Sequence, residues 1–168
     1  MRRHARYPTL LAAATALVLA GCGGGSTASG PTRAQFIASA NAVCAAAHSQ
    51  TASLITKVKS SGASALLGGD TKSLAGLVAQ LHDAAASNLA KLRALPQPAG
   101  DHAAIAGFMK PLSNVVNDIG QAATDLSKGE ALNAFALIQQ AQPEAAKVTT
   151  AANAYGAKKC GTVLAALS

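Results

Sequence analysis

Residues 101–129, DHAAIAGFMKPLSNVVNDIGQAATDLSKG, decide the fold. Ile105, Phe108, Met109, Leu112, Val115, Val116, Ile119, Ala123 and Leu126 recur at three- and four-residue spacing, while Asn114, Asp118, Gln121 and Asp125 fall on the opposite side. That segregation is the signature of an amphipathic helix with one buried face. Asp101 is placed to cap its start and Lys128-Gly129 to end it. Pro111 removes one backbone hydrogen bond and crowds the carbonyl of Gly107, which predicts a kink. A break is not expected, because the apolar stripe continues in phase on both sides.

The same period extends outward in both directions. Upstream, Thr32 and Gln35 form a capping box, and Phe36, Ile37, Ala40, Val43, Cys44, Ala47, Leu54, Ile55 and Val58 follow at helical spacing, with a weak turn at Thr51. Ser60-Ser61-Gly62 reads as the stop of this first helix. A loop, GASALLGGD, leads to Asp70 or Thr71 as cap of a second helix, whose stripe is Leu74, Leu77, Val78, Leu81, Ala85, Leu89 and Leu92. The break LPQP at 95–98 ends it. Downstream, from about Glu130, Leu132, Phe135, Ile138, Ala145, Val148, Ala152 and Tyr155 make the stripe of a fourth helix, with Pro143 as a second kink or short interruption and Gly156 as C-terminal cap. No useful length alternates with period two. The expectation is an all-α, up-down-up-down four-helix bundle with helices of about 22 to 28 residues, roughly 33 to 42 Å long.

The first residues carry an address. Arg2, Arg3 and Arg6 precede an apolar or small run from Thr9 to Gly21, the layout of an export signal. Thirteen residues are too few for a membrane-spanning helix, which needs roughly 20, and the residues after Arg2-Arg3 do not fit a twin-arginine signal. Leu19-Ala20-Gly21-Cys22 resembles the lipobox of bacterial lipoproteins, which implies cleavage before Cys22 and a diacylglycerol on its thiol. An ordinary secretory signal is the alternative. Stable attachment needs two membrane signals, and a diacylated Cys22 supplies two chains. Residues 23–31, GGGSTASGP, read as flexible coil with a reach on the order of 17 Å. The chain therefore divides into a signal at 1–21, a lipidated cysteine and linker at 22–31, and a bundle at 32–168, held at the extracytoplasmic face of the membrane.

Removing residues 1–21 leaves 147 of 168 residues, enough for one domain with a core. Three of the fourteen basic side chains leave with the signal, so the formal charge falls from +7 to +4. A weak attraction to anionic headgroups or wall polymers follows. Nucleic acid is not an expected partner: there is no basic run, no Trp, and few aromatics for stacking.

With Cys22 assigned to the anchor, Cys44 and Cys160 remain, and an oxidising compartment favours their pairing. Topology agrees, because the end of a fourth up-down helix returns to the start of the first. Two free buried thiols are the other possibility. FIASANAVC at 36–44 and AYGAKKCG at 154–161 resemble a group of small helical lipoproteins from high-GC Gram-positive bacteria, which share a lipobox, a spacer, an aromatic eight residues before a first-helix cysteine, and a closing Y-G-x-x-x-C. The resemblance rests on Phe36, Cys44, Tyr155, Gly156 and Cys160. It implies a helical bundle and a disulfide, and no catalytic residue or substrate.

Chemistry is sparse elsewhere. His48, His82 and His102 lie on different elements without i, i+3 or i, i+4 partners, so no metal site is expected. Met109 with His82 is the one conceivable axial pair for a haem, but there is no C-x-x-C-H, and Met109 reads as core filler. Asp70 and Asp101 read as caps, Glu130 as a first-turn acid facing the helix dipole, and no carboxylate pair has the apolar surroundings that acid–base catalysis requires. There is no G-x-S-x-G, and LLGGD lacks the Lys-Ser/Thr of a phosphate loop. Neither an enzyme nor a cofactor is expected. Two functions fit: a tethered, non-enzymatic module that binds or organises an envelope protein or polymer, through the polar stripe of the third helix or the loop bearing Leu66 and Leu67; or a binder of a small apolar ligand within the bundle, where kinked helices open space.

Overall fold

The computed structural model describes residues 30–68 and 70–164, side chains at 66–68 apart; the signal, Cys22 and most of the linker lie outside the described residues. Its elements are α1 (Arg33–Gly68), α2 (Thr71–Arg93), α3 (His102–Ser127), α4 (Ala131–Tyr155) and a short α5 (Lys158–Val163). The described residues contain no strand, and no helix among them is long and apolar enough to cross a membrane. The fold is a four-helix bundle closed by the Cys44–Cys160 disulfide, with Cα atoms 4.9 Å apart.

The caps follow the sequence closely in some places and depart from it in others. Thr32 N–H donates to Gln35 Oε1 at 2.9 Å and Gln35 N–H to Thr32 Oγ1 at 3.3 Å, the reciprocal capping box. Asp70 accepts from Ser73 N–H, and Gly156 ends α4 with φ of +103°, the left-handed conformation glycine adopts without Cβ strain. Asp101, expected as a cap, makes no side-chain cap bond. Its carboxylate accepts instead from the Tyr155 hydroxyl. Glu130 stands at the N-cap position of α4, one residue before the helix, and accepts from Asn133 Nδ2.

Two expectations about element boundaries need correction. The first helix does not stop at Gly62 but runs through it to Gly68. Ile55, Val58, Gly62 and Ala65 keep helical phase, and Ala65 is buried in the core, so inward packing outweighs the helix-weakening effect of one glycine, about 1 kcal/mol. The segment read as a Leu66-Leu67 loop is thus helical backbone. Pro143 does not interrupt the fourth helix either; both Pro111 and Pro143 lie inside continuous helices. The six-residue α5 is too short to show a period and was not expected.

The core forms two clusters along the bundle. At the disulfide end, Phe36, Ala40, Cys44, Leu92, Ile105, Phe108, Tyr155 and Cys160 pack together. Tyr155 meets the Phe36 ring edge-on at 5.9 Å and Phe108 at 6.1 Å, geometries that favour aromatic pairs. At the distal end, Ile55, Val78, Leu81, Val115, Ile119, Leu126 and Val148 form the second cluster. The turn at Thr51 is buried with its hydroxyl donating to Ala47 O at 2.9 Å, which satisfies the polar group within its own helix.

Candidate functional site

The helices pack α1 on α2, α2 on α3 and α3 on α4, whereas α1 and α4 are bridged chiefly by α5. Among the described residues the bundle is therefore closed on its fourth side at the α5 end, where Phe36 and Arg33 of α1 also meet Tyr155 of α4. Several bonds hold α5 there. The disulfide joins it to α1, Asn41 Oδ1 accepts from Lys159 N–H at 2.9 Å and so supplies a cap that Ala157 cannot, and Thr149 Oγ1 donates to Gly161 O at 3.0 Å.

Beyond α5, the unfilled side of the bundle is a groove of about 500 Å³. Its floor is Leu74, Val78 and Leu81 of α2 with Ile119, Ala122 and Leu126 of α3. One wall is Ile55, Val58, Lys59 and Gly62 of α1; the other is α4, from Ala131 to Thr150. Leu164, just past α5, closes one end. The size lies within the roughly 300–1,000 Å³ of small-molecule sites, and a mostly apolar lining with a few polar residues is typical of them.

This groove explains a misreading of the fourth helix. Leu132, Phe135 and Ile138 were expected in the core, but they are 86%, 56% and 37% exposed. The buried line of α4 is Ala134, Ala141, Val148, Ala152 and Tyr155. Alanines let α4 approach α3 closely, which rotates the larger residues onto the flank that α1 would cover in a fully closed bundle. Phe135 and Ile138 line the groove as a result.

The polar stripe of α3, expected as a free contact face, is instead turned partly into the seam with α4. Asn114 Nδ2 donates to Glu144 Oε2 at 2.9 Å, and Asp118 is buried to 9% exposure. Burial, and then the Glu144 charge, push the Asp118 carboxyl above its ordinary pKa. Hydrogen bonds from Lys147 and then Asn114 hold Glu144 below its own.

The described residues contain no group of three side chains able to hold a metal. Met109 packs in the disulfide-end cluster, while the His82 ring lies against Gly120, so close that a Cβ there would meet it at 2.8 Å. Met109 and Gly120 are separated by roughly 16 Å of helix. The conceivable axial pair is not assembled. His48 is exposed, and His102 bonds Gln97 in the preceding turn.

Comparison with family models, with curated proteins and with solved structures finds no match for the chain. The five residues that carry the resemblance to small lipoproteins nevertheless share one place. Phe36 meets Tyr155 edge-on, Cys44 bonds Cys160, and Gly156 turns the chain against Ile37. They build the closure at one end and none of them lines the groove. Groove residues such as Lys59, Ala141 and Thr149 carried no signal in the sequence, because small or polar residues on an α-helix announce no void beside them.

Proposed function

We propose that this chain is an exported, lipid-anchored module of the cell envelope, without catalytic activity of its own, that holds an apolar molecule in the groove between α1 and α4. The observation that carries this reading is the groove itself. Its lining is mostly apolar, and apolar surface left in water forgoes about 25 cal/mol for each Å². An apolar occupant recovers that free energy, and a disulfide-fixed α5 keeps the helices from collapsing onto one another. The anchor half of the proposal rests on the lipobox at Leu19–Cys22 and the apolar run before it.

Displacement of an environment-sensitive apolar dye, N-phenyl-1-naphthylamine, tests the groove. The mature chain binds it with one saturable site, and Ala145→Phe, which places a ring in the groove from a half-buried position, abolishes that site. Dye binding unchanged by the substitution contradicts the reading. Denaturing mass spectrometry of membrane-extracted protein tests the anchor: diacylglycerol mass on Cys22, and release of the Cys22→Ala chain from the membrane.

A second reading has one observation in its favour. Leu132, 86% exposed beside Phe135 on α4, offers an apolar edge to an envelope protein or polymer. A Leu132→Ser chain that no longer co-purifies with a cross-linked partner is the result this reading requires.

A further inference from the structure

We infer that the groove takes one extended acyl chain with an anionic head, the head at Lys59 and the tail running toward Leu164. This deepens the apolar-ligand reading and rests on it. Three features of the groove point the same way.

The first is shape. From Ala131 to Thr150 the α4 wall is about 28 Å long, whereas α1, α2 and α3 line only 55–62, 74–81 and 119–126, about 10 Å each, so the groove is walled by four helices at the Lys59 end and continues along α4 toward Leu164. An elongated hollow of about 500 Å³ suits a slender, extended ligand. A partner helix, about 10–12 Å across with its side chains and laid along the same length, would need a volume several times larger.

The second is where polarity lies. Between the ends, the floor and inner walls offer Ile55, Val78, Leu81, Ile119, Ile138 and Ala141, none with a side-chain hydrogen-bonding group, and the neutral polar residues Gln142 and Thr150 that also border the groove are exposed. At the α5 end the Thr149 hydroxyl is already committed to Ala145 O and Gly161 O. A ligand polar group lodged in this stretch would be buried without a partner, at a cost of about 1–3 kcal/mol or more. The tail belongs here.

The third is charge. Among the described residues of the lining Lys59 is the single ionisable side chain and none is a carboxylate, and Lys59 has no ion-pair partner among the described residues. Its level is set by topology. Phe36 and Tyr155 mark one height in antiparallel α1 and α4, and the 23 residues from Phe36 to Lys59 match the 24 from Tyr155 to Ala131. Lys59 therefore stands at the mouth farthest from α5. An anionic head placed there meets an exposed ammonium and water together, which suits a carboxylate or a phosphate.

Calorimetric titration of the mature chain carrying Cys22→Ala provides the test, with palmitate, palmitoyl lysophosphatidylglycerol, hexadecanol and hexadecyltrimethylammonium as the probes. One equivalent of either anionic amphiphile binds, and whichever binds more tightly identifies the source of the chain. Hexadecanol and the cation bind at least about tenfold more weakly, the scale of one charge-assisted contact. Lys59→Gln narrows that gap and Lys59→Glu reverses it in favour of the cation, with helix content unchanged by circular dichroism. Equal affinity for all four, indifferent to both Lys59 variants but abolished by Ala145→Phe, overturns the head assignment and leaves the groove standing. Two equivalents of palmitate overturn the single-chain assignment. No binding of any probe by the parent chain overturns both.

Discussion

Tyr155, at the end of α4, donates its phenolic hydrogen to Asp101 Oδ2 across 2.8 Å, joining the last turn of one helix to the start of another. Arg33 of α1 completes the arrangement: its guanidinium lies 4.5 Å from the centre of the tyrosine ring and donates to the Tyr155 carbonyl. Three helices thus converge on one side chain, whose hydroxyl reaches the Asp101 side chain. Tyr155→Phe is expected to cost about 1–2 kcal/mol in urea denaturation at pH 7. Burial, then the bond to Asp101, push the phenol up to about 12. The folded state therefore holds the proton more tightly than the unfolded chain, so this stabilisation is intact below pH 10 and is lost as pH rises through 12. The Phe variant should lack that alkaline loss.

Reduction of the disulfide should be the larger perturbation. Cys44 and Cys160 are 116 residues apart, and closing so long a loop restrains the unfolded chain by about 4–5 kcal/mol in the entropy model. Chemical denaturation with and without reductant, or with Cys44→Ala/Cys160→Ala, should show a loss of unfolding free energy of that order and a correspondingly lower midpoint. A midpoint indifferent to reductant would mean that aromatic packing at this end suffices alone.

Asp118 gives a pH dependence of the same sign in the acid range. Its carboxylate is buried against α4 and faces Glu144, which Lys147 and Asn114 already satisfy. A raised folded-state pKa means ionisation opposes folding, so the relative contribution of Asp118 improves as pH falls through that pKa. Asp118→Asn should consequently raise the melting temperature at pH 7. The advantage should shrink toward pH 3.9, near which the unfolded carboxyl also takes up its proton. A variant that melts lower at pH 7 would show that the charge is held by contacts stronger than its burial.

The flank of α4 can be checked by two substitutions. Leu132→Ser should leave stability within about 0.5 kcal/mol of the parent, because the side chain is already in water. Val148→Ala, at a fully buried position on the same helix, should cost about 2 kcal/mol. Comparable losses at the two sites would place Leu132 in the core after all.

These contrasts show what the sequence disclosed and what it withheld. Val115, Ile119 and Leu126 were legible as core because polar residues opposed them so cleanly, and Cys44 with Cys160 because an up-down-up-down topology returns the end of the chain to the first helix. Gly62 misled as a stop: composition marks a weak helix position, whereas the phase shared with Ile55, Val58 and Ala65 decides whether packing overrides it. Leu132, Phe135 and Ile138 misled for a different reason. Periodicity identifies an apolar face but not whether a neighbour covers it, and here α1 does not. The groove is the space between two helices that fail to meet, so no residue pattern on either one encodes it. Lys59 at its mouth was indistinguishable from any other exposed lysine.

Native mass spectrometry of the mature protein extracted from its own membrane, run beside the Ala145→Phe chain, tests the central claim most directly. The account predicts that the parent carries the mass of one non-covalent apolar molecule, released on denaturation, and that the groove-filled variant does not. Identical spectra for the two chains, with no mass beyond polypeptide and anchor, would contradict it.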